Sequence, residues 1–135
     1  MTANLSQTLD QRRAQHAWNA IQRVASEMAP GEQEEYAGEA KKLPIRVMTS
    51  GLGQALAFIA SKAKEKKRGL NQLQDDLTDW VLHGRNLPTQ KPDSLLQAVC
   101  FGDAVFLRRA TDEVLAYLEW LNRFAEAEGI RNGSE

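Results

Sequence analysis

The sequence predicts an all-α fold, a compact single-domain helical bundle of about five to six helices, and three observations carry that expectation. Apolar residues recur at spacings of three and four along most of the chain. No stretch has the two-residue alternation, bounded by turn residues, that marks a half-buried strand. The length of 135 residues suits one core over residues 1–135, whereas two independent cores would each be small.

Residues 9 to 28 put Ala14, Ala17, Trp18, Ile21, Val24, Ala25 and Met28 on one side of a helix. Gln11, Arg12, Arg13, Gln15, Asn19, Gln22 and Arg23 fall largely on the other, and Pro30-Gly31 ends the element. A second helix begins at Glu32, where Glu34 and Glu35 suit the positive end of the helix dipole. It runs through Tyr36, Ala37, Ala40 and Leu43 to Pro44, which should kink or divide it before it resumes over Ile45 to Met48. Ser50-Gly51 then interrupts the pattern. The third helix, with Leu52, Ala55, Leu56, Ala57, Phe58, Ile59 and Ala60, is apolar on nearly every side, so it is expected at the centre of the core or against a neighbouring subunit.

Lys62 to Arg68 carries the chain outward into water. After Gly69, a fourth helix is marked by Leu70, Leu73, Leu77, Trp80 and Val81, with Asp75, Asp76 and Asp79 expected on its solvent side. Residues 84–92, with Pro88 and Pro92, read as a loop. Asp93 or Ser94 caps a helix through Leu95, Leu96, Val99 and Phe101. Gly102-Asp103 is read as a break, Ala104 to Ala110 as a further turn or two, and Thr111 as the cap of the last helix. That helix sets Val114, Tyr117, Leu118, Leu121, Phe124 and Ala125 on one stripe and should fray beyond Gly129, so the core is expected over roughly residues 8 to 128.

The 17 basic and 18 acidic residues nearly cancel, so net charge gives no general attraction to nucleic acid or to an anionic membrane. The opening MTANLSQTLDQRR lacks the apolar core of a signal peptide, and no apolar run approaches the roughly 18 residues of a membrane helix. A cytoplasmic protein without membrane contact is the expectation. A single cysteine, Cys100, excludes an internal disulfide, and its neighbours Val99 and Phe101 suggest a buried thiol.

Catalytic chemistry needs convergent groups, and none assembles. His16 and His83 belong to no ligand pattern. Gly51-Leu52-Gly53 follows a helix and lacks the Gly-Lys-Ser/Thr of a phosphate loop, so it reads as a helix corner. Asp75, Asp76 and Asp79, like Asp112 and Glu113, read as solvated surface. No catalytic residue, metal or cofactor is therefore expected.

Charge segregation is the feature that stands out. Lys41, Lys42, Arg46, Lys62, Lys64, Lys66, Lys67 and Arg68 lie between residues 41 and 68, opposed only by Glu65. A lysine-rich helix end is commonly a solvated terminus favoured by the dipole. With Lys41, Lys42 and Arg46 nearby in sequence, a surface for the phosphate backbone becomes the better reading. Aromatic residues are not interleaved with these lysines in sequence, which argues against a self-sufficient reader of single strands.

A set of motifs runs in order over nearly the whole chain: Gln11-Arg-Arg-Ala14, Tyr36, Ala40-Lys-Lys-Leu-Pro44, Gly51-Leu-Gly-Gln-Ala-Leu-Ala-Phe58 with Ser61-Lys62, and Thr111-x-Glu113 through Tyr117 and Trp120 to Arg123-Phe-Ala125. Together they resemble the small subunit of the Cmr-type, or type III-B, CRISPR effector. The resemblance implies a non-catalytic helical bundle whose copies stack beside the repeating backbone subunit and near the polymerase-like large subunit, along the groove that holds guide and target RNA. It implies no active site and no sequence reading by this chain, since base pairing to the guide does that. It places Lys41, Lys42 and Lys62 on the family's basic face, to which local charge alone adds Arg46, Lys64, Lys66, Lys67 and Arg68. Gly51 and Gly53, with Pro44, are read as the structural corner between the two basic helices. Tyr117, Trp120 and Phe124 are read as core, and Arg108, Arg109 and Arg123 as candidate subunit or RNA contacts. A purely protein-binding adaptor is the alternative.

Overall fold

The computed structural model describes residues 6–64, 67–90 and 93–133. Among them six α-helices and no strand occur: α1 Leu9–Glu27, α2 Pro30–Ser50, α3 Leu52–Ala63, α4 Arg68–Thr78, α5 Leu95–Phe101 and α6 Ala104–Ala127. The all-α expectation holds. α1 packs on α6, α2 on α3, α4 and α6, and α3 on α4 and α5, around one buried apolar cluster.

Local chemistry sets the ends. Thr8 and Gln11 form a reciprocal capping box at the start of α1. Pro30 does not end α1, which stops at Glu27. It opens α2 as the first helical residue, where its missing N–H has no intrahelical role, and the Glu32 side chain returns to the Ala29 N–H at 3.0 Å. Asp103, not Thr111, caps α6, its carboxylate accepting from the Phe106 N–H at 2.8 Å. α6 is therefore unbroken from Ala104, and Thr111 lies inside it with its hydroxyl donating to the Leu107 carbonyl at 2.7 Å. At its far end, the Gly129 N–H reaches the Glu126 carbonyl and the Ile130 N–H the Ala125 carbonyl, a Schellman turn with Gly129 at φ +73°. The chain then returns over α2, where a Cβ on Gly38 would lie 2.7 Å from the Asn132 carbonyl oxygen.

Pro44 neither divides α2 nor leaves a gap. A helical proline cannot donate to the carbonyl four residues back, here that of Ala40. Asn122 of α6 takes the vacant place, its amide donating to the Ala40 oxygen at 3.0 Å. α4 continues as a π-helical turn over Asp79–Gly84 that brings Trp80, Val81 and Leu82 into the core, and residues 85–90 then run without helix, as the loop reading expects, with residues 91 and 92 outside the described residues.

The largest departure from expectation concerns acidic residues. Asp76 and Glu113 are not solvated: with Glu39 they are buried at 2%, 5% and 3% exposure. Asp76 accepts from the Tyr36 hydroxyl at 2.6 Å, Gln72 at 3.0 Å and Arg23 at 3.1 Å. Glu113 accepts from Arg13, from the Trp80 indole at 2.8 Å, and lies 3.3 Å from Arg85. Along this seam His16 is satisfied on both ring nitrogens, by the Tyr117 hydroxyl and Asp79, each at 2.7 Å. Asp10, its carboxyl held below the usual range by the Trp120 indole N–H and then by Arg13, adds a further link from α1 to α6. Cys100 is exposed rather than buried. The short α5 offers Leu95 and Ala98 to the core, and two further residues turn the thiol outward. Tyr117 is fully buried, as the core reading expects, whereas Trp120 and Phe124 pack at the margin.

Three measurements test this packing. A Cβ on Gly69 would press into the Glu32 carbonyl and lie 2.9 Å from the Tyr36 amide nitrogen, so Gly69→Ala should cost about 1–3 kcal/mol in urea denaturation. Gly31→Ala, with open space around it, should cost nothing. Asn122→Ala should cost about 1–2 kcal/mol, and much of that cost should vanish in a Pro44→Ala background, where the Ala40 carbonyl regains its backbone donor.

The third concerns pH. Burial, and next to it the Asp76 carboxylate, holds the Tyr36 proton well above the ordinary tyrosine range, and burial does the same for Tyr117. An unfolded chain releases these protons near pH 10 while the folded one keeps them. Their stabilisation is thus complete below about pH 10 and falls above it, by up to about 1.4 kcal/mol per pH unit for each tyrosine. Urea midpoints should drop steeply above that pH, and about half as steeply in Tyr117→Phe.

Candidate nucleic-acid interface

Gly51, at φ +87°, is both the last cap of α2 and the first of α3, a conformation that glycine adopts without strain. It folds α3 back on α2. Gly53 sits within α3, facing Val99 of α5, where a Cβ would meet only ordinary contact at 3.5 Å. The corner thus turns on Gly51, with Pro44 two turns earlier in α2.

Across the α2–α3 hairpin Glu39 gathers two of the sequence-designated cations. Arg46 of α2 pairs with one carboxylate oxygen, and Lys62 of α3 donates to the other at 3.1 Å. Both cations also lie over the ring of Phe58, with Arg46 Cζ 4.1 Å and Lys62 Nζ 5.2 Å from its centroid. Phe58 is 43% exposed. α3 is therefore a helix with one buried face, not one enclosed on every side.

Lys42, Lys62 and Lys67 line a shallow groove, together with Glu34, Glu35 and Glu39. The sequence window showed eight cations against Glu65 alone, but folding brings the acidic first half of α2 against them. Lys41 in α2 and Lys64 at the far end of α3 are exposed. Arg68 turns toward the end of α1, 3.3 Å from the Glu27 carbonyl and 3.3 Å from Glu32. Lys66 lies outside the described residues.

Sequence reasoning missed Glu39 and Phe58 as parts of this corner. A signal for the first existed: Glu39 stands in the stripe Tyr36, Ala40, Leu43, where a carboxylate demands partners. Arg108, Arg109 and Arg123 are exposed on α6. Among the described residues no group of three His, Cys, Asp or Glu could hold a metal ion, and no helix is long and apolar enough to cross a membrane.

The geometry is that of a small helical module in which Glu39 pairs Arg46 and Lys62 beside a groove shared by three lysines and three glutamates. Residues 9–128 match the family model described as CRISPR-associated protein (Cas_Cmr5), and the chain belongs to that family. It is 38% identical over 114 residues to the CRISPR system Cmr subunit Cmr5 of Thermus thermophilus, covering 84% of this chain and 90% of that protein. It is also similar to the X-ray crystal structure of a CRISPR-associated Cmr5 family protein from Thermus thermophilus, with a TM-score of 0.68 and 31% identity over 93% of this chain and 100% of that one.

Removing both partners' anchor tests the corner. Losing one member of a fully buried pair costs about 3–5 kcal/mol. Here the Arg46 and Lys62 side chains keep 28% and 37% of their surface in water, which screens the charges left behind. Glu39→Ala should therefore lower stability by only about 1–2 kcal/mol in urea denaturation.

Proposed function

We propose that this chain is the small, non-catalytic subunit of a cytoplasmic Cmr-type CRISPR ribonucleoprotein, and that the lysines of its α2–α3 hairpin and the start of α4 support target RNA bound to the guide. Membership of the Cmr5 family carries the first half of the reading. Lys42, Lys62 and Lys67, which share one groove with Glu34, Glu35 and Glu39, together with the exposed Lys41 of α2 and Lys64 at the end of α3, support the second. Such lysines act as point charges on phosphate, so they supply affinity without sequence choice. Copies arrayed along the complex would sum weak contacts into avidity. Arg46 and Lys62 serve this surface mainly by holding its shape, because Glu39 already engages them.

A second reading, an adaptor that touches protein alone, draws on a different observation. Ile45 and Met48 on α2 and Phe101 and Val105 at the α5–α6 corner are all more than half exposed. Apolar side chains of this size suit contact with the backbone subunit, the polymerase-like large subunit or further copies of the chain.

One titration separates the two. In the assembled effector, Lys41→Ala, Lys42→Ala and Lys67→Ala together should weaken target RNA binding and flatten its salt dependence by roughly 0.7–0.9 in log–log slope for each phosphate no longer neutralised. Lys62 stays, so that the corner remains intact. Unchanged affinity and slope, at equal assembly, would leave the adaptor reading.

A further inference from the structure

Phe58 is an aromatic ring kept at the surface by its neighbours. It lies one turn before Lys62 on α3, and Arg46 reaches it from α2. Both cations are fixed from below by Glu39, so the ring and the guanidinium are pre-positioned rather than free to collapse. Lys42 stands four residues before Arg46 on the same face of α2, exposed and opening on the groove. An exposed ring flanked by two charges is a poor seat for an apolar protein surface, because covering it would also dehydrate the charges. A nucleotide meets each part: its base offers a π-face to the guanidinium plane that lies over the ring and to the part of the ring left exposed, and its phosphate offers an anion to lysine.

Building on the RNA-binding reading above, we infer that Phe58 and Arg46 form a stacking platform for one unpaired nucleobase of bound RNA, with Lys42 taking an adjacent phosphate. The platform stacks any base, because every base has a π-face. It supplies the aromatic element that the sequence order of the lysines hides, since Phe58 joins Arg46 only through the fold.

The test uses the assembled effector with target RNA carrying 5-iodouridine, read by photo-crosslinking with peptide mapping and by target affinity. The wild-type protein should crosslink at Phe58. Phe58→Leu should lose that crosslink and weaken target binding about fivefold or more, while Phe58→Tyr keeps both. Equal thermal melting and equal incorporation into the complex qualify the comparison. If Phe58→Leu changes neither crosslink nor affinity while the triple lysine variant flattens the salt slope, the platform is overturned and the phosphate surface stands. If neither variant has an effect, both readings fall. If Phe58→Leu folds normally but is not incorporated, the ring is a protein contact and the platform is overturned.

Discussion

A carboxylate enters a helical core only where positive charge and hydrogen-bond donors can follow it, and the described residues of this bundle include three that do. Asp76 draws Arg23 from α1 and Tyr36 from α2 to α4. Glu113 draws Arg13 from α1 and Trp80 from the π-turn to α6. Glu39 ties α2 to α3 through Arg46 and Lys62. Apolar burial supplies most of the driving force, but it is non-directional. The three acids add direction, because each is matched by charged or donor groups on particular neighbouring helices. The π-turn fits the same constraint: it lies where Trp80 must reach Glu113 and Asp79 must reach His16.

The helical class and most core positions were legible because apolar spacing is a local signal, repeated along each helix. The acids were not. Asp76 follows Leu73 by three residues and Glu113 follows Ala110 by three, so both occupy stripe positions, yet a rule that assigns carboxylates to solvent passes over them. Their partners lie far away in sequence, Arg13 from Glu113 by 100 residues. Helix boundaries failed for a related reason: Thr111 is as good a cap by composition as Asp103, and only the chain's path past Gly102 decides between them.

The candidate interface was legible as charge and illegible as geometry. Counting cations along residues 41–68 pointed to the stretch of α2 and α3 that the fold packs together. It could not reveal that Glu34, Glu35 and Glu39 share the groove, that two cations are bound to a buried carboxylate, or that Phe58 stands between them. Family membership and this local chemistry answer different questions. The first concerns what assembly the chain serves, the second which atoms are available there.

Pro44 and Asn122 together act as a register pin between α2 and α6. The proline leaves one carbonyl of α2 without its own donor, at a buried position, and a single amide on α6 meets it. Sliding α6 by a turn would keep apolar side chains facing apolar side chains, but it would strand that oxygen in the core. A residue usually counted as a helix breaker thus selects one docking of two helices from several that hydrophobic contact alone would permit. The two positions are therefore expected to vary together, since neither is useful without the other.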